Sequence, residues 1–241
     1  RELVLFYQPK VDIATREPVG FEALARWQHP RLGLLDPADF IDLVEMSEIV
    51  HPFTQEVLRL AIKGNQYLQR HGWQLPVAIN LSPRNLQDSQ FFSDLQATLE
   101  AHAIAPPSIE IEITETALML EPEHAIEVLG RLNALGVNIA IDDFGTGYSS
   151  LRRLRHLPVQ SLKIDRSFVT DMTSDATDHA IVRSTVALAH SLDLKVVAEG
   201  VENAATLELL ANIGCDQAQG YGLGKPLALE QAVRWLRRNA A

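Results

Sequence analysis

Seven polar residues stand inside segments that otherwise read as apolar β-strands: Glu22, Asn80, Glu112, Asp142, Lys163, Glu199 and Gln219. Each falls on a different segment, mostly toward the end that leads into the next helix-like stretch. Carboxylates that converge on one cavity cannot all ionise without partners, because like charges in a low dielectric raise one another's pKa. Divalent cations are the simplest remedy. The donors are almost all oxygens, and no cysteine or histidine falls at zinc-like spacing, so hard ions of the Mg2+ or Mn2+ type fit best. Asp142 and Asp143 are adjacent and would face opposite ways in a regular strand. At a strand end, where the pleat relaxes, one of them can bridge two ions, and two-metal sites suit phosphoester hydrolysis. Lys163 alternates with Asp165 on one strand face, the kind of buried pair that clusters at functional sites.

Eight strand candidates must position these groups: Leu3–Ile13, Val19–Trp27, Val77–Leu81, Ile109–Thr114, Asn138–Phe144, Ser161–Asp165, Lys195–Glu199 and Asp216–Tyr221. Helix-like segments such as Glu123–Leu135, Asp178–Leu192 and Ala204–Ile213 lie between the later ones, and this alternation indicates a parallel sheet. Only Ala14–Pro18 separates the first two strands, too short for a helical crossover, so they are expected to pair antiparallel. The reading is an α/β fold, a (β/α)8 TIM-like barrel with an antiparallel first strand; a doubly wound open sheet is the alternative. In Ile109-Glu110-Ile111-Glu112-Ile113 the isoleucines share one face, against the helices, which points Glu110 and Glu112 into the barrel. In a barrel the strand ends converge at the C-terminal mouth, where active sites of this architecture sit.

The chain has 241 residues, close to the ~250 typical of such a barrel, and no Pro/Gly/Ser-rich linker divides it. Residues 1–241 are therefore read as one domain. A formal net charge of −10 disfavours a broad electrostatic footprint on DNA or RNA. No apolar stretch approaches ~18 residues, so this segment makes no membrane crossing. The single cysteine, Cys215, rules out an intramolecular disulfide and points to a reducing, cytoplasmic compartment.

The residues also carry a resemblance over essentially the whole chain. Glu22-Ala23-Leu24, within Gly20-Phe21-Glu22-Ala23-Leu24-Ala25-Arg26-Trp27, resembles the signature that names the EAL family. Seven further blocks follow the family's order: Phe6-Tyr7-Gln8-Pro9, Ile79-Asn80-Leu81-Ser82-Pro83, Glu112-Ile113-Thr114-Glu115-Thr116, Asp142-Asp143-Phe144-Gly145-Thr146-Gly147-Tyr148-Ser149-Ser150, Leu162-Lys163-Ile164-Asp165, Ala198-Glu199-Gly200-Val201-Glu202 and Gln219-Gly220-Tyr221. One departure is Gly222-Leu223-Gly224-Lys225-Pro226, where relatives more often carry bulkier residues before a similar basic residue and proline.

The resemblance implies a phosphodiesterase that opens cyclic di-GMP to linear pGpG with two divalent cations, Mg2+ or Mn2+, Ca2+ being inhibitory. It matches Glu22, Asn80, Glu112 and Asp142 to ligands of one metal, and Asp142, Asp143 and Glu199 to ligands of the other. Lys163 matches the lysine that acts on the attacking water, with Glu199 as the other group that can manage its proton, and Gln219 a position close to that water. Gln8, Leu24, Arg26 and Glu202 match positions that contact the dinucleotide, Asp165 and Asn80 also bordering it. Glu115 matches an anchor of the glycine-rich loop after Asp143. The resemblance further implies a homodimer through the helix that follows Tyr148, and a longer parent protein with sensory or GGDEF-type domains.

Other readings of these motifs fare less well. Lys163 in a barrel suits Schiff-base chemistry, which has no use for the surplus carboxylates. Asp143-Phe144-Gly145 mimics the kinase metal triplet without the other kinase segments, and Gly222-Leu223-Gly224-Lys225 lacks the P-loop's spacing. His29, His51 and His71 show no ligand spacing. A cyclic di-GMP receptor without catalysis is the competing function; receptors tend to lose acidic positions, and here each is filled.

Overall fold

The computed structural model describes residues 2–88, 90–147 and 154–239. Among these described residues nine strands form one sheet: β1 (Leu3–Asp12), β2 (Pro18–His29), β3 (Gly33–Leu35), β4 (Val77–Asn80), β5 (Ile109–Thr114), β6 (Asn138–Phe144), β7 (Ser161–Ile164), β8 (Lys195–Ala198) and β9 (Gln217–Gln219). From β2 the order runs in parallel through β4, β5, β6, β7, β8 and β9, and β1 closes the ring by pairing antiparallel with both β2 and β9. The sheet is thus a closed eight-stranded barrel and not an open one. β3, which the strand candidates did not include, is a short hairpin partner of β2 outside the ring.

The expected tight link between the first two strands holds. Leu3 pairs with Trp27 and Gln8 with Glu22, and Arg16 turns the chain with φ of 66°. The late strands are shorter than their apolar runs suggest. β8 ends at Ala198 and β7 at Ile164, so Glu199 and Asp165 lie just past the pleated ladder.

Helices cover the outside: α1 (Ile41–Glu45), α2 (Val50–Arg70), α3 (Pro83–Leu86), α4 (Phe91–Ala101), α5 (Glu115–Leu120), α6 (Pro122–Leu135), α7 (Arg166–Val169), α8 (Ala176–His190), α9 (Ala204–Asn212) and α10 (Leu229–Asn239). Ile109, Ile111 and Ile113 face this layer at 0–1% exposure, each contributing roughly 1.5–3 kcal/mol by burial. Several strands hand over to their helices through side-chain caps. Ser82 accepts from Arg84 N, Thr114 from Ala117 N and Asp165 from Ser167 N. Such caps contribute ~1 kcal/mol each, and they fix how far Asn80, Glu112 and Lys163 stand below the mouth.

Inside, the barrel departs from the usual filling of branched aliphatic side chains. Lys10, Glu112 and Lys163 are buried there, with Ala78 and Ala140 beside Glu110 and Glu112 on the neighbouring strands. Small residues on adjacent strands leave the width that long charged side chains need. The dimer contact expected after Tyr148 falls on residues 148–153, which lie outside the described ones.

Candidate active site at the barrel mouth

Lys163 is the centre of the site. It rises from β7 with 1% side-chain exposure, and its Nζ lies 2.7 Å from Glu112 Oε2, 2.7 Å from Glu199 Oε1, 3.1 Å from Asp142 Oδ2 and 3.6 Å from Glu22 Oε2. Four carboxylates from four different strands, or from just beyond them, therefore meet within the reach of one ammonium. Glu22 is held on its other sides by amides: Asn80 Nδ2 donates to Oε1 at 2.7 Å and Gln219 Nε2 to Oε2 at 2.6 Å. Gln219 Nε2 also reaches Gln8 Oε1 at 3.1 Å, and Gln8 Nε2 donates to the Gly224 carbonyl at 3.3 Å. Gln219 Oε1 is buried with no hydrogen-bond partner among the described residues.

Asp142 and Asp143 solve the pleat problem through the backbone. Asp143 takes φ of 53°, and the β6–β7 register shifts between Ile141 and Phe144. Aspartate tolerates this left-handed conformation better than most side chains. Ligand oxygens of Asp142, Asp143 and Glu199 lie within 4.8 Å of one another. Beyond Asp143, Glu115 Oε2 accepts from Gly145 N at 2.9 Å. A Cβ on Gly147 would stand 3.1 Å from the Glu115 carboxyl, so glycine lets the loop lie close against its anchor.

The charge balance of this cavity is strained. Burial, then the Glu22 carboxylate, push Glu112 well above the ordinary carboxylate range, although Lys163 and Lys10 oppose. Burial, with Asp142 adding, raises Glu199 to about 7 against the pull of Lys163. Burial also acts to raise Glu22, but Lys163 and the Gln219 and Asn80 amides outweigh it and hold that group low. Burial, Asp142 and Asp165 raise Asp143. For Lys163, burial favours the neutral amine, yet Glu112, Glu199, Glu22 and Asp142 together carry it well above its ordinary value. The site therefore holds more negative charge than its lysine neutralises. An oxygen-rich donor set of this kind fits hard divalent cations.

The EAL domain family profile matches residues 1–226. The chain belongs to the EAL domain family. This EAL domain is 40% identical over 236 residues to the bifunctional diguanylate cyclase/cyclic di-GMP phosphodiesterase MucR of Pseudomonas aeruginosa, with 97% of this chain and 34% of that protein covered. It is 42% identical over 244 residues to the cyclic di-GMP phosphodiesterase NbdA of the same organism, with 100% of this chain and 31% of that protein covered. The chain thus spans about a third of the length of these curated relatives. Among solved structures, the PaMucR phosphodiesterase in complex with c-di-GMP superposes with a TM-score of 0.93 at 40% identity, over 96% of this chain and 94% of that one.

Of the remaining sequence-predicted residues of the EAL domain, Gln8, Glu202 and Leu24 line two clefts. One, of about 340 Å³, is lined by Gln8, Glu22, Glu199, Glu202, Gln219 and Tyr221. The other, of about 360 Å³, is lined by Leu24, Asn80, Ser82, Pro83 and Thr114 among others. Arg26 is half-buried and pairs with Asp36 at 2.7 Å, donating also to the Ala25 carbonyl at 2.8 Å. Asp165 caps α7 and stands near Asp143. Sequence reasoning missed two partners of this cluster. Lys10 reaches Glu112 from below, and Glu110, although placed in the barrel, was given no counter-ion. The signal was present: Lys10 follows Gln8 by two residues on β1, and so shares its inward face.

Proposed function

We propose that this EAL domain hydrolyses cyclic di-GMP to linear pGpG with two divalent cations, Mg2+ or Mn2+. The observation that carries the reading is the convergence of Glu22, Glu112, Asp142 and Glu199 on Lys163 at the barrel mouth. Glu22, Asn80, Glu112 and Asp142 would hold one ion, and Asp142, Asp143 and Glu199 the other. Such ions supply charge neutralisation at the phosphate and lower the pKa of water.

The chain's own residues carry the rest. Lys163 is the donor that orients the incoming water, and Lys163 or Glu199 manages that water's proton. The open Gln219 Oε1 accepts a hydrogen bond from that water. Gln8 and Glu202 address one half of the dinucleotide; Leu24, Asn80 and Arg26 address the other; Asp165 supports Asp143 between them. Gln8 and Glu202 line one cleft and Leu24 and Asn80 another, which supports this division for those four residues. Glu115 anchors the loop after Asp143 through Gly145 N.

The proposal extends to the surroundings of the site. Residues 1–241 form one domain of a longer cytoplasmic signalling protein with a sensory or GGDEF-type partner domain, acting as a homodimer. The greater length of the curated relatives supports the first part. Among the described residues, no helix is long and apolar enough to cross a membrane.

The test is incubation of the purified chain with cyclic di-GMP and Mg2+, Mn2+, Ca2+ or excess EDTA, followed by separation of the nucleotides. Conversion to pGpG is expected with Mg2+ or Mn2+, little with Ca2+, whose looser coordination misplaces the oxygens of an in-line displacement, and none in EDTA. Tight binding without pGpG would replace the enzyme with a receptor. Full turnover in EDTA would remove the metals.

A further inference from the structure

The barrel holds a second buried lysine that the proposed chemistry does not use. Lys10 is 3% exposed and lies on β1, the strand that runs against its neighbours. Its Nζ is bonded to the Glu110 carboxylate and stands 3.3 Å from Glu112 Oε1. The other oxygen of the same carboxylate, Glu112 Oε2, accepts from Lys163 Nζ at 2.7 Å. Glu112 is therefore clamped between two ammonium groups, one from deeper in the barrel and one from the mouth.

The surroundings are built for this clamp. The cross-strand neighbour of Lys10 on β2 is Gly20, where a Cβ would stand 3.5 Å from Lys10 Cε and 3.2 Å from the Pro76 carbonyl. Glu110 and Glu112 have Ala78 and Ala140 as neighbours on the adjoining strands, which frees the interior for the lysine. Glu110 matters as much as Glu112. A lone Lys10 would cancel one negative charge of the site, whereas Lys10 paired with Glu110 is neutral as a unit and can grip Glu112 without weakening its charge.

We propose that Lys10 is a positioning residue of this site: by holding Oε1 of Glu112 from the barrel interior, it fixes that carboxylate so that Oε2 is the oxygen presented to a cation at the mouth. The inference rests on the metal reading of the cluster. A glutamate has three rotatable side-chain bonds, and a carboxylate gripped at one oxygen only keeps freedom that a metal ligand must surrender on binding. Partners behind the ligands of a metal typically govern its affinity by about 10–100-fold. Simple filling of the barrel floor by an ion pair is the competing role.

Calorimetric titration of Mn2+ into chelator-treated protein separates the two, using wild type, Lys10→Met and Lys10→Met/Glu110→Gln. The single variant leaves Glu110 buried without its cation, so its metal-free thermal midpoint should fall, and the double variant should recover much of that loss. Both are expected to bind Mn2+ about 10–100-fold more weakly than wild type, because neither holds Glu112 from below. A double variant with wild-type Mn2+ affinity would overturn the inference and leave the pair as filler, and it decides the matter even where the single variant does not fold. A wild type that takes up no Mn2+ would overturn the metal reading and this inference with it, an outcome distinct from equal affinities.

Discussion

Replacing Lys163 with alanine removes the ammonium that lies within 3.6 Å of four carboxylates. Two of its contacts are at 2.7 Å and the lysine side chain is 1% exposed, so solvent does not fill the gap cheaply. Leaving one partner of a buried ion pair uncompensated costs about 3–5 kcal/mol. For a domain of this size each kcal/mol moves the thermal midpoint by ~2–4 °C. The metal-free variant should thus melt roughly 6–20 °C below the wild type, and saturating Mn2+ should narrow the difference by supplying the missing positive charge. In turnover the same change should lower kcat by roughly 10²-fold or more, the scale for losing a positioned acid, base or electrostatic group. Affinity for cyclic di-GMP should change much less, since Gln8, Leu24, Arg26 and Glu202 remain. The assays are thermal melts with and without Mn2+, single-turnover hydrolysis and equilibrium binding. A metal-free midpoint equal to that of the wild type would refute the electrostatic argument; wild-type turnover would remove the role given to this lysine.

Glu22→Ala should weaken metal uptake and ligand binding and nearly abolish turnover, because Glu22 receives both the Asn80 and Gln219 amides and borders Lys163; metal-dependent binding at wild-type strength would contradict it. The metal-free protein should lose stability as pH rises from the ordinary carboxylate range through about 7. Glu199, raised to about 7, binds its proton more tightly folded than unfolded, which is worth ~3 kcal/mol across that window. Glu112 is shifted in the same direction, while Glu22, held low, contributes stability that is lost only at more acid pH. Melts of chelated protein at pH 5 and pH 8 read the slope, and a midpoint that climbs over this range would show the sign to be wrong. Glu115→Ala removes the acceptor of Gly145 N, a charge-assisted bond of about 1.5–3 kcal/mol. Exchange at residues 144–147 should speed up and kcat/KM should fall ~10-fold or more; unchanged exchange would detach Glu115 from the loop.

The fold and the carboxylate cluster were legible because both are written in short-range patterns. Polar residues at alternate positions of Ile109-Glu110-Ile111-Glu112-Ile113 can point only inward once the isoleucines meet the helices. The tight link at Ala14–Pro18 likewise left antiparallel pairing as the sole option for β1 and β2. What escaped depends on contacts distant in sequence. The Lys10–Glu110 pair joins residues 100 positions apart across the barrel, and no local pattern says which buried carboxylate a lysine will meet. The left-handed turn at Asp143 was also out of reach: adjacency of two aspartates poses the problem of facing, and only the backbone shows how it is solved. β3 escaped because three residues, Gly33–Leu35, carry too little periodicity to register.

The number of cations that suits this site can be argued from its charges. Glu22, Glu112, Asp142, Asp143 and Glu199 offer five carboxylates, Lys163 offers one ammonium, and Lys10 with Glu110 is neutral as a pair. Asp165 is engaged by the first turn of α7, through Ser167 N and Oγ. Full ionisation then leaves at least four negative charges around one ammonium, more than a single divalent ion balances. Without cations the same crowding of charge in a buried site raises the Glu112, Asp143 and Glu199 carboxyls, so each binds a proton more readily than a free carboxyl does. Binding cations therefore means displacing protons, and cations that neutralise these carboxylates also weaken the attraction that carries Lys163 above its ordinary pKa.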